Sequence, residues 1–262
     1  MSSDHHRGFP RTKLAGFLVW VLVLGASLST AFATERVWEK RFQLSPGGLV
    51  SVTNVQGSVV VQGWDRAEVE ATVAIWSATP TDQIDDVQVA VETRSGAVTF
   101  HTLYPPGLDT PIRVDYRLRV PHRVLLNELS TLEGAIVVRD VDGTLKVHTL
   151  HGDIEGINVA GSVMARALAG NILVSPRALP DRLRPFSLAT VNGNIDFLMP
   201  PQANANLEIS TVAGKILSDY PFQVSATPGD STRRAQVGGG GVRVELRTIR
   251  GNIRVTRRSA DV

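Results

Sequence analysis

The chain has 262 residues, 43% of them hydrophobic, which is enough to bury a core. It contains no cysteine, so a disulfide framework, an iron–sulfur cluster, a thiolate zinc site and a lipid-modified cysteine are excluded. The formal charge of +2 is carried by positions 1–33, because residues 34–262 hold 24 basic and 24 acidic side chains. No strong basic face with interleaved aromatics is present, which argues against nucleic acid as a partner.

Residues 1–33 read as a secretory leader. Arg7, Arg11 and Lys13 form a positive start, Leu14–Leu28 is apolar, and Ala31-Phe32-Ala33 fits a small-x-small cleavage site. Two readings stay open: cleavage after Ala33, or an uncleaved anchor over residues 14–33, about 20 residues and long enough to span a bilayer. In either reading residues 34–262 lie outside the cytoplasm, in the periplasm or at the cell surface. Membrane contact is expected only through the uncleaved segment.

Residues 34–126 read as an antiparallel β portion that begins or caps the repeat region after it. Leu49–Val52, Val59–Val61, Glu68–Trp76, Val87–Thr93, Val98–Leu103 and Ile112–Val120 alternate like strands. Ser95-Gly96 marks a tight hairpin. Pro80–Asp86 suggests one helical turn, and Pro105-Pro106-Gly107 a loop.

Residues 127–258 are dominated by a repeat. Gly134, Gly143, Gly152, Gly161 and Gly170 are nine residues apart. Aliphatic residues stand two before each glycine (Leu132, Val141, Leu150, Val159, Leu168) and two after (Ile136, Leu145, Ile154, Val163, Ile172). The frame recurs at Gly57, Gly193, Gly214 and Gly251. Two kinds of unit alternate. Thr131, Thr149 and Ala167 precede the first kind by three residues, and Asp140 and Asn158 hold that place in the second. The full period is therefore two units, from Gly134 to Gly152 to Gly170. Beyond Gly170 the spacings lengthen to 23, 21 and 37 residues, which implies inserted loops.

A turn of about 18 residues is too short for a crossover helix. The fold expected is all-β: a parallel β-solenoid of about 18 residues per rung, after the antiparallel N-terminal portion. Each strand then pairs with its equivalent one turn away, about 4.8 Å along the axis, so that Ile136, Ile154 and Ile172 stack. The flanking aliphatics, Leu150 and Ile154 alike, are expected to point inward. Pro176–Pro185 and Gly238–Gly241 read as loops, and residues 259–262 as a tail.

Several features resemble a family of exported bacterial β-strand-repeat proteins labelled putative adhesins, a domain of unknown function. They are Val59-Val60-Val61-Gln62-Gly63-Trp64-Asp65, the Arg119-Val120-Pro121 lead-in, and the iterated Thr-x-x-Gly-x-Ile units. The resemblance covers residues 40–256 and brings no catalytic residues with it.

The residues themselves offer no strong site. His151, Asp153 and Glu155 should face outward on one strand with the carboxylates about 6.7 Å apart, near the spacing of inverting glycosidases. Their neighbouring columns hold Ala135, Asn171, Val137 and Leu173, nothing that would separate two carboxylate pKa values. His148 and His151, three apart, should face opposite sides. Asp140-Val141-Asp142-Gly143 hints at a calcium turn but lacks further ligands. Asn171, Asn194 and Asn252 should form a partial amide ladder. Arg243, Arg247, Arg250, Arg254, Arg257 and Arg258 are either a basic rim for an anionic polymer or a charged guard on the last rung. The reading is therefore a non-catalytic envelope or surface protein without cofactor or metal, adhesin-like, whose rigid β-face binds protein or glycan. The alternatives are a polysaccharide-active enzyme using outward carboxylates, and a purely structural periplasmic protein.

Overall fold

The computed structural model describes residues 34–79, 81, 83–108, 110–223 and 232–258. The leader and the tail at 259–262 lie outside these residues. The described chain is all-β, with 19 strands, a single 3₁₀ turn at Gln83–Asp85 and no α-helix. The strands are β1 (Thr34–Gln43), β2 (Leu49–Thr53), β3 (Val59–Trp64), β4 (Glu68–Ser77), β5 (Gln88–Arg94), β6 (Ala97–Leu103) and β7 (Ile112–Pro121). Next come β8 (Leu125–Glu133), β9 (Ile136–Arg139), β10 (Asp142–His151), β11 (Ile154–Ala169), β12 (Ile172–Ala178), β13 (Phe186–Asn192) and β14 (Ile195–Met199). The last are β15 (Ala205–Ala213), β16 (Ile216–Ser218), β17 (Arg233–Val237), β18 (Val242–Arg250) and β19 (Ile253–Arg257).

The pairings sort these strands into two files. One runs β5-β6-β2-β8-β10-β11-β13-β18-β15-β17. The other runs β1-β4-β7-β3-β9-β11-β12-β14-β19-β16. The long strand β11 serves the second file with its first half and the first file with its second half. Pairing is parallel except at the ends, where β1–β4, β4–β7, β5–β6 and β15–β17 are antiparallel. So β2 and β3, expected in an antiparallel portion, belong to the parallel stacks. The hairpin at Ser95-Gly96 forms as expected, with Gly96 at φ +73°.

The two files share one core. Val59, Ile136, Ile154, Ile172, Ile195 and Ile253 stack in register and are buried. Each such side chain contributes roughly 1.5–3 kcal/mol by leaving water. Rings close the gap between files: Phe186 of β13 meets Phe197 of β14 at 5.3 Å between centroids, and Phe100 of β6 meets Tyr116 of β7 at 6.1 Å.

Sequence and structure differ in pitch and in order. Only from β8 to β12 do equivalent positions of neighbouring rungs keep a separation of 18, as Asp140 and Asn158 do, or Asp153 and Asn171. Beyond that the steps are 23, 58 and 37 residues. The step of 37 runs backwards, because β18 and β19 lie between β13/β14 and β15/β16. The first two rungs are exchanged in the same way: β6 and β7 stack outside β2 and β3, which in turn meet β8 and β9. The last rung in the chain is thus interior, which overturns the reading of its arginines as an edge guard.

The glycine column has a steric cause. Gly152 has φ +155°, and a Cβ there would lie 2.0 Å from the carbonyl oxygen of Gly134. Equivalent contacts recur at Gly134, Gly170, Gly193 and Gly251. A side chain is excluded both by the backbone angle and by the close approach of the adjacent rung. The turn at this glycine also breaks the period-2 alternation. Thr149 and Ile154 are buried, whereas Leu150 is exposed, contrary to the expectation that both aliphatics point inward.

Candidate functional site

The displaced aliphatics form the most distinctive feature of the surface. In spatial order the column before the glycines is Val55, Leu132, Leu150, Leu168, Val191, Ile249 and Val212. Leu132, Leu150, Leu168 and Ile249 are 40–46% exposed and Val212 is 78% exposed. At about 4.8 Å per rung, these side chains make one continuous aliphatic line along the outside of the stack. Two residues earlier, His148, Arg166, Ala189, Arg247 and Ser210 flank the line, while Ser130 at the same position of its strand is buried. The line is apolar with a polar flank, and it contains no aromatic residue.

The line is held by hydrogen bonds one step inside it. Hydroxyls of Thr131, Thr149, Thr190, Thr248 and Thr211 donate to the carbonyl oxygens of Gly57, Gly134, Gly170, Gly193 and Gly251 at 2.9–3.3 Å. Each threonine ties its strand to the glycine of the adjacent rung. Ala167 stands at the same position without a hydroxyl.

On the other side of the glycines runs the amide ladder. Asp153 Oδ1 accepts from Asn171 N at 2.7 Å, Asn171 Oδ1 from Asn194 N at 2.9 Å, and Asn194 Oδ1 from Asn252 N at 2.8 Å. Asn252 Oδ1 completes it by accepting from Lys215 N at 2.9 Å. Asp153, weighed as a catalytic carboxylate, is the first step of this ladder. Glu155 forms an ion pair with Arg139 at 2.7 Å. The two acids are thus drawn to separate partners. His148 and His151 are both exposed, not on opposite sides, because the alternation breaks at the corner. No group of three or more metal-ligating side chains occurs among the described residues.

The second kind of corner is built differently. Asp140 and Asn158 take left-handed backbone, φ 56° and 54°. The Asp140 carboxylate accepts from Gln62 Nε2 at 2.7 Å and from Asn158 Nδ2. These bonds, Asn158 first, hold its carboxyl below the ordinary range. Of the two carboxylates in the considered calcium turn, that of Asp140 is thus engaged by amides, and that of Asp142 lies 3.8 Å from Arg177.

Asp115 joins β7 to two neighbours, accepting from Ser58 N at 2.6 Å, Ser58 Oγ at 2.7 Å and Trp76 Nε1 at 2.7 Å. Burial pushes its carboxyl up. The hydrogen bonds from Ser58 and Trp76, with the nearby Arg113 charge, outweigh burial and leave it below its ordinary value. Tyr104 and Tyr116 are pushed up to about 12 by burial. Neither tyrosine is an acid or base near neutral pH.

The six C-terminal arginines have separate partners. Arg243 pairs with Glu208, Arg247 with Glu245, and Arg254 with Asp196 at 3.6 Å. Arg250 donates to Asn192 Oδ1 at 3.2 Å, and Arg257 lies over the Tyr220 ring at 5.5 Å. Arg258 turns to the other side of the rung and donates to the Pro176 carbonyl at 3.1 Å. Glu245 stands two residues before Arg247 on β18, but sequence reasoning could not see Glu208 and Asp196, which β15 and β14 bring beside the other arginines.

The chain matches no protein-family model and no curated protein. Among solved structures it is similar to a putative cell adhesion protein from Clostridium sporogenes, with 10% identity and a TM-score of 0.41, over 85% of this chain and 100% of that one. It is similar to a putative adhesin from Bacteroides fragilis, with 10% identity and a TM-score of 0.38, over 84% and 97%. A putative lipid binding protein from Parabacteroides distasonis follows, with 13% identity and a TM-score of 0.29, over 85% and 97%.

Proposed function

We propose that this is an exported, non-catalytic envelope or surface protein of adhesin-like type, in which a rigid parallel β-solenoid presents its outer aliphatic line to a protein partner. The two strand files are the walls of that solenoid, and its shortest rungs are those between β8 and β12. The observation that carries the reading is the line from Val55 through Leu132, Leu150, Leu168, Val191 and Ile249 to Val212. Contiguous exposed aliphatic surface is a mark of interaction sites. Stacked rungs fix it in place, so binding costs little ordering. A line of leucine, isoleucine and valine suits an apolar protein surface. Glycan recognition would call for aromatic platforms, which this line lacks. Export is supported by Arg7, Arg11, Lys13, the apolar Leu14–Leu28 and Ala33.

The test is a variant carrying Leu132→Ser, Leu150→Ser and Leu168→Ser. These side chains are already half exposed, so the variant should keep its thermal midpoint to within about 5 °C. It should lose binding to surfaces coated with envelope or extracellular proteins. Binding equal to the parent, with the fold retained, refutes the assignment. Fractionation followed by N-terminal sequencing checks export, with a mature start at Thr34 expected.

A further inference from the structure

The corner opposite the glycine column is tight where Asp140 and Asn158 make it, and it opens beyond them. Beyond β12 the second-kind corners give way to longer connections, Leu179–Pro185 between β12 and β13 and Pro200–Asn204 between β14 and β15, and beside them Gly238–Gly241 joins β17 to β18 within the first file. Three stacked loops cannot close as three stacked tight corners do. They leave a cleft of about 790 Å³ walled by these loops and by Arg258. That size falls within the range of small-molecule sites.

The chemistry of the walls is one-sided. Three guanidinium groups line the cleft, from Arg177, Arg182 and Arg258, against one carboxylate, Asp181. Arg177 also lies 3.8 Å from Asp142 outside it. Arg258 carries the strongest indication. Its Nη1 is bound to the Pro176 carbonyl, yet its Nε is sealed from solvent with no hydrogen-bond partner among the described residues. A buried donor of a charged group without an acceptor is costly. Only one other buried side-chain polar atom among the described residues, Gln83 Oε1, shares that condition.

We infer that this cleft binds a small anionic ligand through its carboxylate or phosphate group, with the oxyanion received by Arg258, Arg182 and Arg177. Planar guanidinium groups take such oxyanions in paired hydrogen bonds. The site is independent of the aliphatic line. It draws on only one of the six C-terminal arginines, since the other five are engaged elsewhere.

Isothermal titration of the full chain tests this with three probes: inorganic phosphate, trigalacturonate and uncharged maltotriose. Saturable binding of phosphate or trigalacturonate with Kd of about 1 mM or tighter is expected, and none of maltotriose. The anion that binds identifies the headgroup. Arg182→Gln, on an exposed loop, should weaken binding about tenfold, as should Arg177→Gln. Arg258→Lys keeps the charge but removes the planar guanidinium fork, and should weaken it similarly with unchanged circular dichroism. If that variant fails to fold, the Arg182 and Arg177 variants decide the matter. Absence of saturable binding by both anions, equal binding of maltotriose, or affinity indifferent to Arg182→Gln and Arg177→Gln overturns the inference.

Discussion

The hydroxyl of Thr190 donates to the carbonyl oxygen of Gly170, one rung away, at 2.9 Å. The same bond recurs at four other rungs, and one position in the series lacks it: Ala167, buried beside Gly152. Restoring the hydroxyl with Ala167→Thr should stabilise the protein by about 0.5–1.5 kcal/mol. Threonine also suits a strand better than alanine. Urea unfolding checks this through a raised midpoint at unchanged slope. A lowered midpoint would show that the Gly152 rung has no room for the added methyl.

Gly152→Ala should act in the opposite direction. The new Cβ would meet Gly134 O at 2.0 Å, at a backbone φ of +155°. Neither the carbonyl nor the ladder can move without disturbing two rungs. A loss of about 3 kcal/mol or more is expected. Gly96→Ala provides the control. Its φ is also positive, but nothing lies within 4 Å of the added atom, so its cost should stay near about 1 kcal/mol. Equal thermal shifts for the two would mean that contact between rungs is not what selects glycine.

Acid should loosen the N-terminal end through Asp115. Its carboxyl is held below the ordinary value in the folded protein. The contribution is fully present above the unfolded carboxylate value of about 3.9, and it is lost as pH falls through the lower folded value. Asp115→Asn removes it at every pH and sets an amide hydrogen against Trp76 Nε1. The variant should be less stable at pH 7 by about 1–3 kcal/mol. The gap to the parent should narrow below about pH 4. A constant gap from pH 7 down to pH 3 in thermal melts would contradict the assignment. Asp140, depressed by its own partners, titrates in both proteins and cancels in the comparison.

Much of this fold is legible in the residues, and the failures have physical causes. Ile136, Ile154 and Ile172 announce a stacked column because the period carries them to equivalent places. The outward turn of Leu150 is hidden, since only the backbone angle at Gly152 decides whether positions on either side of it share a face. The exchange of β18/β19 with β15/β16 is hidden too. Every rung offers the same strand edge and the same glycine, so local sequence does not say which rung stacks on which. The strands β1 and β17 escaped notice because Thr34–Gln43 and Arg233–Val237 mix charge into their alternation. The cleft could not be read at all, because its walls come from three loops distant in the chain. Its only sequence signal is the lengthened glycine spacing after Gly170.

Asn171 and Ile172 are adjacent and face opposite environments. Ile172 is fully buried between Ile154 and Ile195. Ile172→Asp therefore places an unpaired charge in the core and should cost several kcal/mol, or prevent folding. Asn171 is exposed, and by exposure alone an acidic substitution would be near neutral, within roughly half a kcal/mol. The ladder changes that expectation. Asn171 Nδ2 donates to Asp153 Oδ1 at 3.2 Å while its Oδ1 accepts from Asn194 N. Asn171→Asp keeps the acceptor, loses the donor and sets two carboxylates side by side. About 1 kcal/mol should be lost at pH 7. The loss should shrink as pH falls below about 4, where carboxylates take up protons. Asn171→Ala, which removes the acceptor for Asn194 as well, should cost as much or more at pH 7 with no such recovery in acid. Urea midpoints at pH 7 and about pH 3 separate these cases. If Asn171→Asp and Asn171→Ala respond alike to pH, the contact with Asp153 is not part of what the ladder contributes.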